Sequence, residues 1–210
     1  MQRPADARPA QSDGGMSTHR LEALTDGIFA IAMTLLVLNI DVPVVHAETA
    51  AGAIPSALLA NWPQFTNYAV AFVVLAGFWT THHKQFHSIR HLNGGMLWLN
   101  ILSLLFVALV PFTTSLAGDY HWVLISSIIF DVNFLIIGMI YVVQWMYVSR
   151  NRERYLNEMV DPRRVAVGMR RVLVLPVAAL AAIAIAVFID PALNGFGYLV
   201  IPVLLALLKQ

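Results

Sequence analysis

Long apolar segments alternate with short polar segments along most of the chain. A bilayer core about 30 Å thick needs roughly 20 helical residues, and six segments approach or reach that length. They cover about residues 21–40, 65–81, 96–117, 122–147, 172–189 and 194–208. The pattern therefore predicts an all-α membrane protein with six transmembrane helices.

Two further segments have different patterns. Residues 51–64 read AGAIPSALLANWPQ, which indicates a short amphipathic helix at the membrane interface, with an apolar side formed by Ile54, Leu58, Leu59 and Trp62. Residues 1–17 are rich in proline, alanine, glycine and polar residues, and they lack the apolar centre of a signal peptide. We therefore expect a disordered tail at 1–17 and a membrane domain at 18–210.

Composition agrees with lipid as the solvent. The chain is 59% hydrophobic and 12% charged, whereas soluble domains are roughly half apolar and a quarter charged. The absence of cysteine excludes disulfides and thiolate metal sites. No nucleophile elbow, phosphate loop or HExxH motif occurs, so we expect neither an enzyme nor a cofactor. The basic residues are not gathered on one compact domain, so no nucleic-acid partner is expected.

The basic residues are confined to alternate ends of the predicted spans. These ends hold all 13 Lys and Arg residues of the chain: Arg3, Arg8, Arg20, Lys84, Arg90, Arg150, Arg152, Arg154, Arg163, Arg164, Arg170, Arg171 and Lys209. The opposite connections carry acidic residues instead: Asp41, Glu48, Asp119 and Asp190. Because Lys and Arg favour the cytoplasmic side, both termini are expected in the cytoplasm and the chain in a cell inner (plasma) membrane.

Asp26 lies near the start of the first span. An acidic group there costs a few kcal/mol unless it is paired or hydrated, and the dipole of a helix N-terminus favours it. Position alone leaves two interpretations open. Asp26 belongs either to a helix-locking network or ion vestibule, or to a helix end that reaches interfacial water.

The rest of the first span is apolar apart from one hydroxyl. Gly27, Ile31, Thr34 and Leu38 are spaced 4, 3 and 4 residues apart and share one helix face, with Leu35 adjoining it. Position alone favours ordinary helix packing for this stripe, with Thr34 bonded to its own backbone.

A histidine-rich stretch ends the second span. His83, His87 and His91 lie on one helical face, a spacing that metal sites also use. No Asp or Glu occurs from residue 49 to 118 to complete a ligand set. A partly solvated helix end is therefore the favoured interpretation, and His82, deeper in the span, is expected to make a structural hydrogen bond.

Three stretches resemble a known family when they are taken together. RLEALTD resembles the signature R-x-x-x-F-S-D, with Arg20 and Asp26 matching and Thr25 in place of serine. WTTHHKQF resembles W-x-x-H-x-x-x-F through Trp79 and His82. The stretch NILSLLFVALVPFTTSL, which starts at residue 100, resembles the third helix of the same family.

The chain is thereby identified as similar to the transmembrane protein 175 family over about residues 20–117. That family contains lysosomal potassium channels with two six-helix repeats and single-repeat bacterial relatives. The resemblance implies a homotetramer in which helix 1 of each subunit lines a central potassium pathway. It implies no TVGYG filter, and this sequence contains none.

The resemblance also assigns roles to residues of helix 1 and its neighbours. Ile31 would form a hydrophobic constriction, which Leu35 and Leu38 would continue, and Thr34 would supply a hydroxyl layer for potassium selectivity. A polar network would hold helix 1 in place, formed by Arg20, Thr25, Asp26, Trp79, His82 and Asn100. The implied partners are potassium ions, further copies of the chain and membrane lipids.

Two other functions remain open from the sequence. Asp131 in the fourth span is a candidate proton relay, or a partner for a histidine or asparagine between helices. A proton-coupled carrier could use Asp131 and His82. A non-transporting assembly factor could instead present the basic loop 150–171 to a partner.

Overall fold

A computed structural model describes residues 18–46, 48, 50–87, 89, 93–156 and 161–207. The described residues form helices and connections without any strand, and one isolated bridge pairs Ile89 with Leu156. The all-α class is therefore confirmed. The predicted tail at 1–17 lies outside the described residues.

The helices follow one another with short connections. In chain order they are α1 (Thr18–Val37), α2 (Ala50–Ala60), α3 (Trp62–His87), α4 (Gly94–Asp119), α5 (Leu124–Arg150), α6 (Arg152–Tyr155), α7 (Pro162–Phe188), a 3₁₀ helix (Pro191–Leu199) and α8 (Val200–Leu207). Polar side chains cap several of them. Asn93 accepts a hydrogen bond from the Met96 amide at the start of α4, and Asp161 accepts one from the Arg163 amide at the start of α7.

Three helices in the described part of the chain are long and apolar enough to cross a membrane: α4, α5 and the 165–188 portion of α7. The chain is therefore a multi-pass membrane protein. Among the described residues, the other three predicted spans fall short of that length or apolarity. α1 is 20 residues long but carries Arg20, Glu22 and Asp26 near its start.

The sixth predicted span, 194–208, is not one continuous α-helix. A nine-residue 3₁₀ helix precedes the eight-residue α8. Gly195 and Gly197 lie in the 3₁₀ part, where glycine's low helix propensity weakens an α-helical turn. The interfacial segment does form a short helix, α2, and none of its side chains is buried.

Successive long helices run in opposite directions, which gives the molecule two distinct ends. We call the end at which α1 and α4 begin the arginine-rich end, and the end that carries Asp41, Asp119 and Asp190 the acidic end. The main core is shared by α1, α3, α4, α5, α7 and the 3₁₀ helix. Phe78 contacts Tyr141 edge-on with ring centroids 5.5 Å apart, and Phe134 contacts Tyr198 at 5.7 Å.

α1 lies at one side of this bundle. It contacts α3 and α4 and no other described element. α5, in contrast, packs on α4, α7, α3 and the 3₁₀ helix. Much of the surface of α1 is consequently left without a partner among the described residues.

Candidate functional site

The two faces of α1 have opposite environments. The buried face carries apolar side chains and one hydroxyl, spaced three or four residues apart: Leu21, Thr25, Phe29, Ala32 and Leu36. The opposite face is exposed and carries the sequence-predicted stripe: Gly27, Ile31, Thr34, Leu35 and Leu38. One side of α1 therefore anchors the helix and leaves the stripe uncovered.

The exposed stripe is mostly apolar. Ile31 is 60% exposed and Leu38 is 75% exposed. Thr34 interrupts the stripe, and its hydroxyl donates a hydrogen bond to the Ile31 carbonyl at 2.8 Å. Because its hydrogen points to the backbone, the Thr34 oxygen keeps lone pairs that can accept from, or coordinate, a group outside the helix.

A buried chain of hydrogen bonds ties α1 to α3 through α4. Nε2 of His82 on α3 lies 2.8 Å from Oδ1 of Asn100 on α4. Nδ2 of Asn100 donates to Oγ1 of Thr25 on α1 at 3.1 Å. The Thr25 hydroxyl donates in turn to the Leu21 carbonyl at 2.9 Å. An amide side chain can both accept and donate, so the one side chain of Asn100 links Thr25 on α1 to His82 on α3.

A second, exposed contact joins α1 and α3 nearby. The Trp79 indole donates to Oδ1 of Asp26 at 2.8 Å. Asp26 is therefore bonded to Trp79 and makes no hydrogen bond to His82. Arg20 is exposed and makes no hydrogen bond or ion pair with any residue in the described ranges. The single network expected from the sequence is thus two separate contacts within one chain, and Arg20 belongs to neither.

The acidic end contains a further set of contacts that sequence reasoning missed. Nε2 of Gln64 donates to Oδ2 of Asp41 at 3.2 Å and to Oδ1 of Asp119 at 2.7 Å. The Asp41 amide donates to Oε1 of Gln64 at 3.0 Å. Asn39, beyond the end of α1, donates to the Pro111 carbonyl of α4. These bonds fix the chain just after α1.

Asp131 is fully buried and is paired. The Tyr198 hydroxyl donates to its Oδ1 at 2.9 Å, and Nδ2 of Asn194 lies 3.3 Å from its Oδ2. An asparagine partner between helices is one of the two interpretations left open by the sequence. Asp131 and His82 share no hydrogen-bond partner among the described residues.

The histidine-rich end of α3 does not bring metal ligands together in the part of the chain that is described. His83 stacks on Trp79 with ring centroids 6.0 Å apart. No group of three or more His, Cys, Asp or Glu side chains there could hold a metal ion. His91 lies outside the described residues.

The similarity to known proteins includes the helices that carry the candidate site. The family model described as "Endosomal/lysosomal potassium channel TMEM175" matches residues 20–111, which contain α2, α3 and most of α1 and α4. A protein of Chamaesiphon minutus, named as a potassium channel, is 31% identical over 160 residues, which are 75% of this chain and 76% of that protein. The chain belongs to the TMEM175 family.

Two further comparisons extend the likeness. A protein of Streptomyces collinus, also named as a potassium channel, is 40% identical over 101 residues, so this chain aligns with about half of that relative, 48%. The crystal structure of a TMEM175 homolog from Chamaesiphon minutus, titled a lysosomal potassium-selective channel, superposes with a TM-score of 0.76 at 27% identity. That superposition covers 92% of this chain and 98% of that one. The TMEM175 fold therefore extends over nearly the whole chain, beyond the residues that the family model matches.

Proposed function

We propose that the chain is one subunit of a potassium-selective, leak-type cation channel whose pathway runs along the exposed face of α1. The supporting observation is that α1 is anchored on one face, while its apolar stripe, with Ile31 60% exposed, has no partner among the described residues. The choice of potassium as the permeant ion is supported by TMEM175 relatives that are named as potassium channels.

The proposed assembly is a homotetramer with four copies of α1 around a central axis. In water or lipid the stripe of one copy would stay open, whereas further copies would enclose it. We also propose that each subunit crosses the membrane six times. The six spans would be α1, α3, α4, α5, α7 and the 3₁₀ helix together with α8. Lys and Arg at the arginine-rich end would place both termini in the cytoplasm of a plasma-membrane protein.

Ile31 is proposed as the narrowest part of the pathway. A ring of apolar side chains that is narrow enough to lose its water is a barrier to any hydrated ion. Leu35 and Leu38 would continue the apolar lining toward the acidic end. No carbonyl cage is needed for such a barrier.

Thr34 is proposed to give the potassium preference. Its hydroxyl hydrogen is occupied by the Ile31 carbonyl, so its oxygen would face the pathway and replace part of an ion's hydration shell. Potassium loses its hydration water more easily than sodium, and hydroxyl oxygens of this kind would favour it modestly.

The two polar contacts at the arginine-rich end are proposed to hold α1 at a fixed rotation. Trp79 with Asp26, and His82 with Asn100 and Thr25, act within about two turns of the start of α1. The charges near the start of α1 then need not cross the bilayer, and they cost less than a charge at its centre.

The test is ion flux from purified protein reconstituted in liposomes. We expect potassium efflux that exceeds sodium efflux under the same gradient and rises in proportion to the potassium concentration. Absence of flux from well-folded protein would contradict the channel and favour an assembly factor.

A proton-coupled carrier is the second candidate because a fully buried carboxylate, Asp131, lies within the helical bundle. The same liposomes distinguish the two functions. A carrier would give flux that saturates with substrate and that moves protons in a fixed ratio.

A further inference from the structure

A groove separate from α1 lies near the acidic end, between the start of α3 and the 3₁₀ helix. It has a volume of about 120 Å³. That is close to the roughly 150 Å³ of an apolar cavity that holds a benzene molecule. Its walls are mainly apolar and aromatic, and they include Trp62, Asn67, Val70, Gly195, Phe196 and Leu199.

One polar side chain in this wall lacks a partner. Asn67 is only 6% exposed, and its amide makes no hydrogen bond with any residue that the structure describes. Its amide oxygen and nitrogen are not among the fully enclosed polar atoms without a partner, so they can be reached from the groove. Because Asn67 lines the groove, a molecule in the groove can supply the missing partner.

The depth of Asn67 identifies the kind of molecule. Trp62, at the start of α3, is 49% exposed, and Trp122 at the same end is 64% exposed. Exposed tryptophans of membrane proteins gather at the level of the lipid headgroups. Asn67 follows Trp62 by five residues, or about 7 Å of helix at 1.5 Å per residue. That depth is where apolar acyl chains meet ester carbonyls.

We propose that this groove binds one phospholipid from the leaflet at which α3 begins. An acyl segment would lie against Val70, Phe196 and Leu199, and an ester carbonyl would accept a hydrogen bond from the Asn67 amide. Phe196 and Leu199 are 55% and 62% exposed at the rim, so the groove opens toward the lipid. The proposal needs only a membrane and does not depend on ion conduction.

Gly195 allows the groove to be filled without disturbing the backbone. A Cβ placed there would meet its nearest neighbour, Cγ2 of Val70, at 3.5 Å, an ordinary contact. Gly195→Leu should therefore occupy the space of the acyl segment. Gly52→Leu is the matched control, because no atom lies within 4 Å of a Cβ at Gly52, in the exposed α2.

The experiment uses the full-length chain in phosphatidylglycerol–phosphatidylethanolamine liposomes that contain a phospholipid with a diazirine in its acyl chain. After irradiation, mass spectrometry of peptides locates the label. We expect labelling of the peptides around Val70 and Phe196. Labelling should fall about fivefold or more in Gly195→Leu, a change of roughly 1 kcal/mol in binding, and stay unchanged in Gly52→Leu.

Asn67→Leu tests the polar contact at nearly constant side-chain size. It should lower labelling by the diester phospholipid and leave labelling by a diazirine-bearing alkane unchanged. Equal phospholipid labelling of the original chain and Gly195→Leu would overturn the site. So would the absence of label together with disulfide-linked dimers of Phe196→Cys, because a second copy of the chain would then occupy the groove.

Discussion

Asn100 connects three helices through one side chain. Its carbonyl oxygen lies 2.8 Å from the His82 ring, and its amide nitrogen donates to Thr25. All three residues are at most 2% exposed. A buried polar group of this kind is tolerated only when its partners are present, so each member depends on the other two.

Replacing Asn100 with leucine should destabilise the protein more than the loss of one contact would suggest. Asn100→Leu keeps the volume but leaves both His82 and Thr25 buried without this partner. We expect the free energy of unfolding to fall by roughly 1–3 kcal/mol, seen as a lower thermal midpoint of tryptophan fluorescence in detergent. Asn151→Leu removes an exposed bond to the Tyr147 carbonyl and is the control. Equal midpoints for the two variants would contradict the anchor.

Thr34→Val should reduce the potassium preference without changing the shape of the stripe. Valine has the same branching but no oxygen, and one lost oxygen contact is worth roughly 0.5–1.5 kcal/mol, or a two- to tenfold change. The measurement is the ratio of potassium to sodium flux from liposomes. Thr34→Ser keeps the hydroxyl and should keep most of the ratio. A ratio unchanged in Thr34→Val would remove Thr34 from the selectivity proposal.

At the scale of the elements, α7 and the 3₁₀ helix come into very close contact. A Cβ at Gly197 would overlap with the Cα and backbone nitrogen of Ala182 on α7. No side chain can be accommodated there unless one of the two backbones moves. A small residue on each side is the usual means by which membrane helices approach closely.

Gly197→Ala should therefore separate these elements. Overpacking of this kind costs about 1–3 kcal/mol, and we expect a lower thermal midpoint in detergent. Gly195→Ala, two residues earlier in the same 3₁₀ helix, meets only an ordinary contact at 3.5 Å and should melt within error of the original chain. Similar midpoints for both variants would show that the close packing is absent.

The hydrophobic pattern located the long helices but predicted two of them to be shorter than they are. The segments predicted at 65–81 and 172–189 correspond to Trp62–His87 and Pro162–Phe188. Hydropathy marks only the part of a helix at lipid depth, and these helices continue into polar residues at the arginine-rich end. The segment predicted at 194–208 became a 3₁₀ helix and a short α-helix. Its glycines weaken an α-helical turn locally, and Gly197 also packs closely on α7, a tertiary contact that no local pattern reveals.

The candidate site was predictable where it depends on helical periodicity and unpredictable where it depends on tertiary packing. The stripe on α1 follows from helical periodicity, and its residues Ile31, Thr34, Leu35 and Leu38 do share an exposed face. The roles of those residues remain proposals. Gln64 could not be foreseen, because its partners Asp41 and Asp119 are 23 and 55 residues away and come together only through tertiary packing.

At the scale of the whole molecule, the proposed assembly rests on the exposed face of α1. Leu38 is 75% exposed near the acidic end of the stripe. The natural chain has no cysteine, so a disulfide formed after one cysteine is introduced must join that cysteine to the same residue of another copy. Around a central axis, a cysteine at 38 would meet the same residue of another copy.

We therefore expect Leu38→Cys to form disulfide-linked dimers readily under mild oxidation in membranes, as seen on a non-reducing gel. Phe188→Cys is the control, because Phe188 is 83% exposed but lies on α7, which does not contact α1 in the described structure. It should remain largely monomeric on the gel. Equal cross-linking of the two variants, or none in Leu38→Cys, would contradict a central position for α1.

The measurement to make first is potassium flux from liposomes containing Ile31→Ala, compared with Ile125→Ala and the original chain. Ile31 and Ile125 are both 60% exposed, but only Ile31 lies on the stripe of α1. If Ile31 forms a dry constriction, shortening its side chain should widen and wet the pathway, and flux should rise several-fold while Ile125→Ala stays unchanged. Unchanged or lower flux in well-folded Ile31→Ala would contradict a pathway constricted at Ile31.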